Sequence, residues 1–172
     1  MDGNSDNAFS DRKHPAIATI NDVITFRLHR LVAIGERAGH HWSERMFGIS
    51  LNEWRLLALV VAHGPTRAGE MADAMVMDKS QLSRVIKALI TKGLIRNTAD
   101  PNDGRAIALL PTTKGRNLHD KVMVEVLSSN ERVLAPLDPE EIEVLDRALN
   151  KMIANAQEML RDRLEGDNRK NG

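Results

Sequence analysis

Leu82, Val85, Ile86, Leu89 and Ile90 recur at i, i+3, i+4, i+7 and i+8, and no other stretch of this 172-residue chain constrains its fold as tightly. The spacing predicts an amphipathic helix over Lys79–Lys92, with Asp78 placed to cap its start and Gly93 placed to stop it. On a wheel of about 100° per residue, Ser80, Arg84, Lys87 and Thr91 fall opposite the apolar stripe. One face must pack; the other, with two cations and small hydroxyl groups, is free to meet a partner. Two short apolar runs follow directly, Gly93-Leu-Ile-Arg96 and Ala106-Ile-Ala-Leu-Leu110, with the charged tip Asp103-Gly-Arg105 between them. Helix, strand, charged tip and strand is the layout of a winged helix. Such a helix can enter a major groove, and an arginine on the tip can reach a minor groove. An ordinary solvated turn would carry the same tip residues, so the tip gains meaning only from its surroundings.

Those surroundings read as helical. Residues 1–13 are polar, with Phe9 isolated, and read as a disordered tail. A long helix is predicted from about Pro15 to His41, with Ile17, Ile20, Ile24, Leu28 and Leu31 at helical spacing. Val23, Val32 and Ile34 widen its stripe, as expected of a helix covered from two sides. Ser50 and Glu53 form a capping box for a second helix with Leu51, Trp54, Leu57, Ala58 and Val61 on its inner face, ended by His63-Gly64-Pro65. Thr66 is expected to start a short third helix running through Met71 to Met75. After the hairpin, Thr112 or Thr113 opens a fifth helix to about Ala135. Asp138-Pro-Glu-Glu141 then caps a sixth, whose Ile142, Leu145, Leu149, Met152, Ala156 and Met159 make a coiled-coil-like seam. A narrow seam at a chain terminus points to a partner helix. The residues from Gly166 are expected to fray.

Composition narrows the function. There is no cysteine, which removes disulfides, thiolate zinc sites and a cysteine redox sensor. No run of 18 apolar residues suggests a membrane span, and the polar, acidic start has no signal-peptide pattern, so a cytoplasmic location is the expectation. The chain has 24 Lys and Arg against 24 Asp and Glu, but the charge is not evenly spread. Thr66–Arg116 holds nine cations against five anions, leaving fifteen against nineteen elsewhere. A basic middle between acidic arms fits a DNA footprint balanced elsewhere in the chain. No HExxH, P-loop, GxSxG or dinucleotide glycine pattern is present, and Glu140, Glu141 and Glu143 sit at a helix start where capping explains them. The chain does not read as an enzyme, and no cofactor is expected.

The ordered set of motifs resembles the MarR (multiple antibiotic resistance regulator) family of bacterial transcription factors. The carrying residues are Leu51-Asn-Glu-Trp54-Arg-Leu-Leu57, Arg67-Ala-Gly-Glu-Met-Ala72 through Ser80-Gln-Leu-Ser-Arg84, Lys92-Gly-Leu-Ile95, Asp100-Pro-Asn-Asp103-Gly-Arg105 and Thr112-Thr-Lys-Gly115. Together they span roughly Pro15 to Leu160. Pro111 departs from the family pattern, where an apolar residue usually precedes the threonine; a strand end tolerates proline. The resemblance implies a mainly α fold with a small β-hairpin wing: a winged helix-turn-helix lobe over 50–111 on a helical dimerisation region formed by 14–46 and 112–165. It also implies a homodimer on a pseudo-palindromic operator.

Within that frame, Ser80, Gln81, Arg84 and Lys87 are the major-groove set. Arginine pairs bidentately with guanine and glutamine with adenine, while Lys87, farther along the helix, meets phosphate. Lys79, Thr66 and Arg67 are further phosphate candidates. Arg105 corresponds to the wing arginine, with Asp103 orienting it through a charge-assisted hydrogen bond. MarR-like dimers often respond to small aromatic acids, and His40, His41, Trp42, Arg45, Trp54 and Arg55 offer rings, cations and imidazole donors for an aromatic carboxylate or thioester. Trp54 is read first as a core residue and only second as a ligand ring. Two other readings use the same residues: a metal-responsive regulator built on His40 and His41 with ligands from another element, and a helical interaction module with no DNA affinity.

Overall fold

A computed structural model describes residues 17–100, 103 and 106–170; the side chains of Ala38, His40, His41, Glu165 and residues 167–170 lie outside that description. The element order is α1 (Ile24–Phe47), α2 (Leu51–His63), β1 (Thr66–Arg67), α3 (Ala68–Met75), α4 (Lys79–Thr91), β2 (Ile95–Ala99), β3 (Ile107–Pro111), α5 (Thr113–Leu134) and α6 (Pro139–Lys170). The fold is mainly helical with one small antiparallel sheet in the order β1-β3-β2. Two compact units divide at Asp120–Lys121, within α5.

In the first unit the core gathers on α2. Leu56, Leu57 and Val60 are fully buried, and α2 packs against α1, α3, α4 and β3. The predicted cap is present: the Ser50 hydroxyl accepts the Glu53 N–H at 3.2 Å, and Glu53 accepts the Ser50 N–H at 2.6 Å. In α4, Leu82 and Leu89 are buried and Val85 and Ile86 half-buried, while Ile90 is already exposed at the edge of the stripe. Asp78 caps the helix by accepting the N–H groups of Ser80 and Gln81 at 2.9 and 2.8 Å. This serves two of the donors that a helix start leaves without partners.

Three sequence expectations change. The first helix does not run unbroken from Pro15 to His41. Thr19 and Asp22 cap a separate 3-10 turn over Ile20–Asp22, and α1 starts at Ile24 and runs on to Phe47, where Gly48 takes the left-handed conformation at φ 68°. Apolar spacing continues through the break, so periodicity alone missed it. Thr66 does not open α3. Thr66 and Arg67 pair with Leu109 and Ala108 of β3, a contact between distant residues that no local pattern announces. Finally, α6 continues past Gly166 to Lys170, since a single helical glycine costs only about 1 kcal/mol. The expected tail over 1–13 lies outside the described residues.

Pro111 is at the end of the central strand, opposite Ile95. The pairing to β1 stops at Leu109, so no strand on that side asks Pro111 for a donor. In the second unit Asp138 and Glu141 form a reciprocal cap at 2.9 and 3.0 Å. Along α6, Ile142, Leu145 and Leu149 are half-buried, whereas Val144, Met152, Ile153, Met159, Leu160 and Leu164 are exposed.

The start of α5 explains the Thr-Thr-Lys-Gly motif. Thr112 donates its N–H to the Leu94 carbonyl at 3.0 Å and its hydroxyl to the Gly93 carbonyl at 2.7 Å, and the same hydroxyl accepts the Gly115 N–H at 3.0 Å. The helix is drawn so close that a Cβ on Gly115 would stand 2.0 Å from the Leu94 oxygen. Gly115→Ala must therefore push backbone apart. The expected cost is about 1–3 kcal/mol, the range of overpacked cores, read as a lower urea midpoint at unchanged slope.

Candidate nucleic-acid interface

Burial of Leu82 and Leu89 turns the opposite face of α4 to solvent. Lys79, Ser80, Gln81, Arg84 and Lys87 are all exposed there. Asp78 organises the first turn, since its Oδ1 also accepts the Ser80 hydroxyl at 2.7 Å. Arg84 lies along the helix, its Nε donating to the Ser80 carbonyl at 3.4 Å. Four of the expected groove residues and Lys79 thus share one open surface, as a groove-reading helix requires.

Thr66 and Arg67, the other expected phosphate contacts, are engaged within the lobe. Thr66 is 4% exposed and donates its hydroxyl to Glu70 at 2.7 Å. Arg67 donates Nε to Asp100 Oδ2 at 2.5 Å, and its Nη2 stands 3.7 Å from Asp103 Oδ2. The Asp100 hydrogen bond and charge, with Asp103 and Glu70 nearby, raise the Arg67 guanidinium above its ordinary value. Asp103 is exposed beside Arg67; Arg105 lies outside the described residues.

The expected ligand residues face different neighbours. Trp42 meets Phe47 edge-on, with centroids 5.2 Å apart. Arg55 pairs with Glu36 at 2.9 Å, tying α2 to α1. Trp54 is buried and tilted over His119 at 5.5 Å, so it is a core residue and not a ring offered to a ligand. Arg45 is exposed in the last turn of α1, and His40 and His41 fall where only the backbone is described. Among the described residues no group of three or more His, Cys, Asp and Glu converges as a metal site, and no helix is long and apolar enough to cross a membrane.

Sequence reasoning missed the fastening behind the interface. Lys92, the C-cap of α4, donates to the Gly48 carbonyl at 2.8 Å and to Glu53 at 2.7 Å. Glu53 therefore serves the cap of α2 and the end of α4 at once. Lys114 reaches back to the Lys92 carbonyl at 2.7 Å. The Lys92-Gly pair in the sequence marked a helix end, but nothing local named Glu53 as its partner.

The capping carboxylates make the lobe sensitive to acid. Hydrogen bonds from the Ser80 hydroxyl and the Gln81 N–H hold Asp78 below its ordinary 3.8, and those from the Thr66 hydroxyl and the Arg67 N–H hold Glu70 below its ordinary 4.5. A depressed folded value stabilises the fold fully above the unfolded value, and that stability is lost as pH falls through the folded one. The melting temperature should therefore drop as pH is taken below about 4. Asp78→Asn keeps an acceptor at the cap without titrating, so its drop should be smaller than that of the natural chain.

A model of the MarR family matches residues 49–107, from the end of α1 to the start of β3. Over 111 residues the chain is 32% identical to the uncharacterized HTH-type transcriptional regulator YxaD of Bacillus subtilis, a match covering 64% of this chain and 78% of that protein. Among solved structures it resembles the S. aureus MepR–DNA complex, with a TM-score of 0.70 at 19% identity over 80% of this chain and 99% of that one. It also resembles the Streptomyces coelicolor regulator PcaV in complex with its natural ligand, with a TM-score of 0.65 at 22% identity over 83% and 99%. At those identities the two structures speak for the fold, and the family model and the closer sequence relative speak for descent. With its winged-helix lobe and this kinship, the chain belongs to the MarR family of transcriptional regulators.

Proposed function

We propose that this DNA-binding regulator acts as a homodimer that reads a two-fold operator and is released from it by a small aromatic carboxylate or thioester. The observation that carries the DNA reading is α4, whose Ser80, Gln81, Arg84 and Lys87 lie exposed opposite the buried Leu82 and Leu89. Arg84 and Gln81 supply base readout; Ser80, Lys79 and Lys87 supply phosphate contacts. Arg105, between β2 and β3 in the sequence, is the minor-groove contact, with Asp103 as its holder. The MepR–DNA complex supports this use of the fold.

Dimerisation is supported by the apolar side chains that α1 and α6 leave exposed. Leu31, Val32 and Ile34 on α1 and Met152, Ile153, Met159, Leu160 and Leu164 on α6 exceed the scattered exposure ordinary for a monomer. In this reading the segments 14–46 and 112–165 form the dimer region and 50–111 the DNA lobe. The ligand reading draws on PcaV, solved with its natural ligand, and on Trp42, Arg45, His40, His41 and Arg55 at the end of α1 and on α2. A ligand there acts by favouring one separation of the two lobes, since only differential affinity shifts a population.

Two experiments test this. Footprinting on the DNA upstream of its own gene should give a two-fold protected site, lost on adding one member of a panel of aromatic acids and thioesters. No protection of any upstream DNA contradicts regulation, and protection that no compound lifts contradicts the effector. On the protected site, Arg84→Ala should cost about 1–3 kcal/mol and relax preference at one position of each half-site. Arg105→Ala should weaken binding and flatten its salt dependence by about one unit of slope per lobe. An unchanged slope removes Arg105 from the contact.

A further inference from the structure

We propose that Arg67 positions the hairpin, holding it against the start of α3 through Asp100, and does not itself contact DNA. The inference rests on the DNA-binding reading above. Arg67 closes β1 and immediately precedes α3, 33 residues from Asp100 in the chain. The Asp100 side chain is 7% exposed and that of Arg67 43%, so the pair is anchored at its carboxylate end.

Asp100 is the node where the hairpin connection closes. Its N–H donates to the Ala106 carbonyl at 3.0 Å, its Oδ1 accepts the Asp103 N–H at 3.1 Å, and the Ala106 N–H donates to the Asp103 carbonyl at 2.8 Å. The third strand gives this end little support. β1 pairs with Leu109 and Ala108, so among the described residues the outer pair Ala99–Ile107 has no strand on that side. A two-stranded ribbon is marginal by itself and free to twist. The ion pair from Arg67 supplies the missing lateral hold, and a charge-assisted bond through Nε fixes direction as well as distance. The same geometry argues against a phosphate contact. A phosphate approaching this guanidinium would also meet the carboxylates of Asp100 and Asp103.

The probe is a duplex that the full-length protein enriches from a random pool. Arg67→Ala and Asp100→Asn should each weaken its binding on the order of tenfold, with the double variant no weaker than either single one. Hydroxyl-radical cleavage should reappear in the minor groove at the outer edges of the site, while guanine N7 protection under α4 persists. Arg67→Lys should restore part of the edge protection. Should Asp100→Asn fail to fold, the exposed Arg67→Gln carries the same comparison. Intact edge protection with a salt slope lower by about one unit makes Arg67 a phosphate contact and overturns the proposal. Equal loss of edge and N7 protection also overturns it, because only general affinity is then affected. If the natural protein enriches no duplex, the DNA-binding reading itself fails, an outcome distinct from both.

Discussion

The packing of α4 onto α2 is the contact on which the rest of the lobe depends. Leu82 and Leu89 are buried where α4 packs on α2, whose Leu56, Leu57 and Val60 are fully buried, with α3 and β2 alongside. Once they are, the rotation of α4 is decided, and Ser80, Gln81, Arg84 and Lys87 have no direction left but outward. The hydrophobic effect, which has no directional preference of its own, thereby aims the polar side chains. A quarter-turn error would bury a cation and expose leucine, so the apolar stripe and the polar face are under the same constraint.

Rotation alone does not fix where α4 ends. That is the task of a polar knot on the far side of the helix. Lys92 joins the end of α4 to the Gly48 carbonyl and to Glu53, while Lys114 and Thr112 bring the start of α5 onto residues 92–94. Glu53 is 6% exposed, and a carboxylate so placed is tolerable because it accepts both a cap N–H and the lysine ammonium. A purely apolar seal would let the helix end slide; directional hydrogen bonds do not.

The legible parts of the sequence were those governed by local rules. The caps at Ser50, Asp78 and Asp138 depend on residues within four positions of one another, and the stripe of α4 repeats over eight within one helix. The exposed polar face of α4 was legible for the same reason, since helical spacing puts Ser80, Arg84 and Lys87 together without help from other elements. At Thr66 and Arg67 the sequence showed only residues ahead of a helix; their strand pairing with β3 and their bonds to the carboxylates of Glu70 and Asp100 came from the fold. Trp54 was legible first as a residue of the inner helix face, where the structure buries it, but its place over His119 came only from the fold.

Taken alone, the sequence determined which segments are helical, which face of each is apolar and where most helices start, because backbone capping and 3.6-residue periodicity act over a single turn. It also carried the order of motifs that marks the MarR family. Tertiary structure decided what meets across long separations: Arg67 with Asp100, Lys92 with Glu53, Gly115 with the Leu94 carbonyl. Each of these joins residues more than 20 positions apart, at distances that depend on how whole elements dock. No local propensity encodes such a distance; it follows from the packing of the core, which brings polar groups together only after the apolar faces have been satisfied.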